Sequence, residues 1–250
     1  MTAPATPPRS GETLDTFYRG RIRVLQKKAG YRFSVDAPLL ADFIRIGPAD
    51  EALELGTGTG IISLLLGVRP FRRILAIELQ AGLAGLARRN VELNGLADKI
   101  EIVQADLRAF EPGRTFDRIF SNPPYIRKST GFLSASAEKS AAKHELHGGI
   151  GDVLEKTAAW LAPGGRASFV YPEKRRVDFL DAAGKSGLVV RRLRFVQPRA
   201  GEPANLFLIE LGHAGEQGAA SEKLEVMSPL VLFGQDGKYT VAAERIFSGP

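Results

Sequence analysis

From Ala52 onward the chain alternates short aliphatic runs with amphipathic stretches of helical period, and few architectures accept that order. Strands are predicted at Ala52–Leu55, Ile74–Glu78, Ile100–Val103, Phe116–Ser121, Arg166–Tyr171, Leu188–Val196 and Leu206–Leu211. Helices are predicted at about Thr59–Leu66, Gly82–Leu93, Ile150–Leu161 and Glu173–Ser186, with Asn94-Gly95 and Gly164-Gly165 as stop signals. A strand that must continue as a parallel neighbour needs a crossover, and the helices supply it, so the sheet is parallel and covered on both faces. Only Gln197 to Asn205 separates the last two strands, too short a stretch for a helical crossover. They should pair antiparallel at one edge. The expectation is an α/β fold built on a seven-stranded, mostly parallel sheet with helices on both faces.

The flanks divide around this unit. Met1 to Glu12 is rich in Pro, Thr and Ala with nothing to anchor it and reads as disordered. Residues 13–34 read as a basic hairpin around Gly20, residues 35–212 as the main domain, and residues 213–250 as a linker and tail. Arg19, Arg21, Arg23, Lys27, Lys28 and Arg32 fall within 14 positions, interleaved with Tyr18, Tyr31 and Phe33. That mixture suits phosphates and bases, although a solvated amphipathic hairpin has the same pattern. Ser34 or Asp36 is the expected cap of a helix running through Ile44. In the tail, Leu230–Phe233 and Lys238–Val241 flank Asp236-Gly237 as a second hairpin.

Four successive strands end in chemically distinctive residues. The first runs through Glu54-Leu55 into Gly56-Thr57-Gly58-Thr59-Gly60, where alternate glycines permit a tight turn and close approach of main chain to a ligand. The spacing lacks the extra residue of the dinucleotide fingerprint. Glu78, 24 residues after Glu54, ends the next strand, where a carboxylate can accept both hydroxyls of a ribose. After the third strand, Asp106 can accept an adenine amino N–H and Leu107 can contact the ring. The fourth runs into Asn122-Pro123-Pro124-Tyr125. Two prolines fix the backbone and remove two N–H groups, leaving acceptors and one aromatic face. The Asn122 side-chain oxygen and the Pro123 carbonyl can take the two N–H bonds of an exocyclic amine while Tyr125 stacks on its ring, so the nitrogen lone pair is freed for attack without a general base. The plain structural alternatives are a strand-terminal Pro-Pro turn and solvent-facing acids. Carboxyl ends of strands in an open α/β sheet converge on one crevice, and the set in this order points to a nucleoside cofactor.

Together the Gly56–Gly60 turn, Glu78, Asp106 and Asn122–Tyr125 resemble the class I S-adenosylmethionine-dependent methyltransferases that act on exocyclic or amide nitrogens. The flanks Gly30-Tyr31-Arg32-Phe33-Ser34-Val35-Asp36-Ala37 and Ala142-Lys143-His144-Glu145 are similar to the bacterial valine-tRNA adenine-N6 methyltransferases. The resemblance implies a Rossmann-like sheet and S-adenosylmethionine as cofactor. It places Gly56 and Gly58 on the methionine side, Glu78 on the ribose, Asp106 on the adenine and Asn122 to Tyr125 on the target base. Glu54, Thr57, Thr59, Gly60, Leu107 and Asn122 complete the implied cofactor site. Adenine N6 in tRNA is the implied acceptor; a protein glutamine amide, another amino group in ribosomal RNA or DNA, or a catalytically silent RNA-binding scaffold are the alternatives. Ile126 to Lys143 is a long aperiodic segment after the site, where a lid would lie.

Composition narrows the classes further. A net charge of +6 makes an anionic partner such as structured RNA plausible. With zero cysteines there are no disulfides, no thiolate catalysis and no Cys-ligated zinc. His144-Glu145-Leu146-His147 misses the zinc-helix spacing by one residue, so no metal is expected. The longest near-apolar run, Ile61 to Val68, is too short to span a bilayer, and Met1 to Glu12 has no apolar signal core. The expectation is a cytoplasmic protein without a membrane segment.

Overall fold

A computed structural model describes residues 7–29, 35–123, 149–215 and 223–250. Pro124, Tyr125, the Ile126–Lys143 segment, the two histidines at 144 and 147, and the Gly30–Ser34 flank lie outside the described residues.

The central sheet is built from β3 (Glu51–Leu55), β4 (Arg73–Glu78), β5 (Ile100–Gln104), β6 (Phe116–Ser121), β7 (Leu161–Pro172), β8 (Leu188–Gln197) and β9 (Leu206–His213). Its order is β8-β9-β7-β6-β3-β4-β5, extended beyond β8 by two short strands, β10 (Glu225–Val226) and β11 (Leu230–Val231). Pairings from β5 across to β7 are parallel, and β9 runs antiparallel to both β7 and β8. The seven predicted strands and their antiparallel pair are therefore present.

Strand alternation divides the core into two layers. On one face Ala52, Ile74, Ala76, Ile100 and Ile102 pack with α1 (Asp36–Phe43), α2 (Ile61–Leu66) and α3 (Ala81–Leu93). On the other, Leu53, Leu55, Leu75 and Ile77 pack with α4 (Ile150–Trp160) and α5 (Arg176–Lys185). There Phe179 meets Phe169 and Phe207 edge-on at 5.5 Å each.

The N-terminal hairpin, β1 (Glu12–Phe17) and β2 (Ile22–Lys27), forms its own two-stranded sheet. It docks on α3 through side chains that stand in for a third strand. Asn94 accepts from the Arg23 N–H at 2.9 Å and donates to its carbonyl at 2.7 Å, and Asn90 does the same for Leu25 at 2.7 and 3.1 Å. Residues 23 and 25 face one way on β2, and Asn90 in α3 and Asn94 at its C-cap lie one turn apart, so the two periods match. Arg89 adds a two-pronged pair with Glu12 at 2.6 and 3.0 Å and reaches the Pro7 carbonyl, fastening the stretch just ahead of the hairpin.

Several expectations are corrected. The first helix begins at Asp36 with Val35 at its N-cap and no side-chain cap; Asp36 sits inside the first turn, where its charge suits the helix dipole. The second helix starts at Ile61 rather than Thr59, because Gly60 is left-handed at φ +85°. Glu173–Arg175 forms a 3-10 turn ahead of α5. Gly164-Gly165 lies inside β7, since the helix already ends at Trp160; a Cβ on Gly165 would fall 2.8 Å from the Ala162 carbonyl. The expected tail hairpin reduces to one antiparallel bridge, Phe233 to Tyr239. Its first arm pairs parallel with β8, and its second gives way to α6 (Val241–Ser248). Thr240 decides this: its hydroxyl accepts from the Ala243 N–H at 3.2 Å, and the helix buries Ala243 and Ile246 in the core layer that holds α1.

Candidate active site

Sheet register levels the ends of four strands. Leu55 is opposite Ile77, Glu78 is opposite Gln104, and Glu54 is opposite Phe120. Gly56 follows β3 directly, Asn122 follows β6 directly, Glu78 is the last residue of β4, and Asp106 lies two residues past the end of β5, all at the carboxyl edge of the sheet. The Ser121 hydroxyl donates to the Leu55 carbonyl at 2.7 Å and ties β6 to β3 at this level. Asn122 is half-buried and Pro123 buried.

The glycine turn is held from within. Gly56 and Thr57 N–H both donate to the Ile77 carbonyl at 3.0 Å, and Gly60 N–H donates to the Thr57 carbonyl at 2.9 Å. Gly58 N–H donates to Glu78 Oε2 at 2.8 Å, and Gln80 N–H to Glu78 Oε1 at 2.9 Å. A phosphate-binding turn aims these N–H groups at its ligand. Here those of Gly56, Thr57, Gly58 and Gly60 are spent on protein acceptors, which disfavours a pyrophosphate at this turn. Gly56 is left-handed at φ +70°, and a Cβ added to it would meet nothing within 4 Å, so its outer side faces open space. Thr59 Oγ1 is buried without a hydrogen-bond partner among the described residues. An open glycine face, an orphaned hydroxyl and two strand-end carboxylates fit a nucleoside with a cationic substituent.

Glu54 is 1% exposed and lies behind the turn. Its Oε2 accepts from the Thr57 hydroxyl at 2.7 Å and from the Ser63 hydroxyl, which joins the turn to α2. Burial raises its pKa to about 7, against the lowering effect of those hydroxyls. Glu78 is also buried, and its two carboxylate oxygens tie the glycine turn to the start of α3 through Gly58 and Gln80.

Three participants escape a reading of the sequence by strand ends alone. Arg108 donates through its backbone N–H and Nε to Asp106 Oδ1, at 2.9 and 3.0 Å, and through its guanidinium to Oδ2. The Asp106-Leu107-Arg108 order is an Asx-turn signal that could have revealed it. Ser63 and Asn90 act through space. Asn90 donates to the Thr59 carbonyl at 2.9 Å as well as to Leu25, linking the hairpin to the glycine turn. Among the described residues no cluster of His, Cys, Asp and Glu could hold a metal, and no helix is long and apolar enough to cross a membrane.

Comparison with known proteins gives the family and the fold. The methyltransferase small domain family matches residues 35–180. A Vibrio cholerae protein named tRNA1(Val) (adenine(37)-N6)-methyltransferase is 30% identical over 183 residues, covering 73% of this chain and 75% of its own. An Actinobacillus pleuropneumoniae protein of the same name is 27% identical over 225 residues, 89% of this chain and 91% of its own. Among solved structures, a predicted O-methyltransferase from Agrobacterium tumefaciens superposes with a TM-score of 0.65 over 86% of this chain and 96% of its own, at 21% identity, a likeness of fold.

Proposed function

Because the chain belongs to the methyltransferase small domain family and is an S-adenosylmethionine-dependent methyltransferase, we propose that it methylates the exocyclic N6 amine of an adenine in tRNA. What supports this reading is that β3, β4 and β6 are neighbours in parallel register through Leu55, Ile77 and Phe120, so the chain beyond them, with Gly56, Glu78 and Asn122, leaves the sheet at one edge. S-adenosylmethionine supplies an electrophilic methyl group on a sulfonium.

The chain's own residues do the rest by positioning. Glu78 would accept the ribose hydroxyls, Asp106 the cofactor's adenine amine, Leu107 would cover that ring, and the Gly56–Gly60 turn, with Thr59 in it and Glu54 and Thr57 tied behind it, would receive the methionine side. Asn122 and the Pro123 carbonyl accept the two N–H bonds of the target amine, which localises its lone pair toward the donor. Pro124 and Tyr125 complete the motif in the sequence, where the Tyr125 ring would offer the base a stacking face. A proton leaves after transfer, so no strong base is required. Holding two reactants in line supplies much of the acceleration. The relatives' names and the excess of cations favour tRNA over the other carriers of an amino group.

The test is methyl incorporation from labelled S-adenosylmethionine into tRNA, ribosomal RNA and protein from a strain lacking the gene, followed by digestion and product identification. N6-methyladenosine in tRNA is the expected product. Label in protein as a methylated glutamine would replace this reading with amide methylation.

A further inference from the structure

The turn of the N-terminal hairpin is strained. Tyr18, Arg19 and Gly20 are all left-handed, at φ 51°, 56° and 85°, a conformation disfavoured for the first two. Burial of the Tyr18 ring compensates: it is 2% exposed and lies under Gly249, where an added Cβ would come within 2.3 Å of the ring. The outcome is an exposed Arg19 at the rim of a cavity of about 590 Å³ between the hairpin and the C-terminal segment.

The cavity is lined by Phe17, Arg19, Val35, Pro38, Tyr239 and Phe247, with hydroxyls from Thr16 and Ser248. Tyr239 is 39% exposed and is braced by Phe233, stacked at 4.9 Å, and Phe247 at 4.7 Å. Among the described residues that line it there is a cation and no carboxylate. Its volume suits a nucleotide rather than a helix or strand. None of the strand-end residues of the methyl-transfer crevice contributes to it.

We infer that this cavity is a second nucleotide site, which takes one unpaired base of the RNA substrate against Tyr239, Phe17 and Phe247 with its phosphate on Arg19. The inference rests on the reading of the substrate as RNA. A paired base hides its faces in the stack, so the occupant is a nucleotide from a loop or a single-stranded end. An aromatic floor braced by two further rings is already ordered before the base arrives, and the strained turn presents the cation beside it.

The experiment measures binding of the full chain to tRNA from a strain lacking the gene, across a salt series, for wild type, Tyr239→Ala, Tyr239→Phe and Arg19→Ala. Stacking on one aromatic is lost in Tyr239→Ala, and its affinity should fall roughly tenfold with an unchanged salt slope; Tyr239→Phe should bind as wild type. Arg19→Ala should lower the salt slope by about one contact. Affinity for S-adenosylmethionine should be the same in all four. As a readout that needs no variant, tRNA carrying 4-thiouridine should cross-link on irradiation to the peptide containing Tyr239. Wild-type affinity in both Tyr239→Ala and Arg19→Ala, or cross-links confined to other segments, would overturn the second site and leave the RNA reading intact. No tRNA binding by the wild type would remove both.

Discussion

Asn122 is the side chain on which the proposed chemistry turns, because a delocalised amine attacks only when its protons are held out of conjugation. Asn122→Ala should lower kcat by at least about 100-fold, the loss typical of one preorganised polar contact in a transition state. The dissociation constant for S-adenosylmethionine should stay within about twofold, since Glu78 and Asp106 are untouched. Single-turnover kinetics with equilibrium cofactor binding checks both, and a normal rate would remove Asn122 from the site. Glu54 has a different kind of consequence. Its carboxyl ionises near 7 in the folded protein against an ordinary value of 4.5, so between those pH values the folded state holds a proton that the unfolded state has lost. Stability therefore decreases as pH rises from about 4.5 to 7 and is level above. Glu54→Gln removes the titration. Denaturant unfolding across this range should show wild type losing up to roughly 3 kcal/mol relative to the variant, about 1.4 kcal/mol for each unit of displacement.

Helix α3 serves two neighbours at once. Its buried face closes on the sheet, while Asn90 and Asn94 complete the hydrogen bonding of β2. Asn90 is fully buried, and replacing it by Leu leaves the Leu25 N–H, the Leu25 carbonyl and the Thr59 carbonyl without this partner. Each buried polar group left unsatisfied costs about 1–3 kcal/mol, so Asn90→Leu should destabilise by about 3 kcal/mol or more. Because the same side chain reaches the glycine turn, cofactor affinity should fall together with protection of the hairpin amides in hydrogen exchange. Unchanged exchange at Arg23 and Leu25 would show that the hairpin docks without it. Arg89 and Glu12 make a second tie that keeps the hairpin near α3.

As a whole the molecule presents more cations than anions, 34 Lys and Arg against 28 Asp and Glu, and a phosphate backbone is a partner that uses the surplus. On the RNA reading, affinity for tRNA should fall linearly on a log–log plot with salt, by at least about tenfold between 50 and 200 mM. A flat dependence would speak for a protein substrate. How much of this was legible in advance follows from the range of the forces involved. The seven strands, the parallel order, the glycine turn and the strand-end acids were readable because period-two and helical patterns, left-handed glycines and proline pairs are dictated by residues adjacent in the chain. The tail shows where that reading ends: Asp236-Gly237 is a sound turn signal, yet Val241–Ser248 becomes a helix because Ala243 and Ile246 find the core layer containing α1. Sequence by itself determined the strands of the sheet, their parallel and antiparallel pairing and the glycine turn after the first of them. Tertiary structure alone decided that Glu54 is buried behind the turn, that Asn90 joins it to the hairpin, and that Phe17 and Tyr18 meet Tyr239 and Phe247 from the other end of the chain around one cavity. Those contacts depend on which distant surfaces become neighbours once the core closes, and no local pattern encodes that.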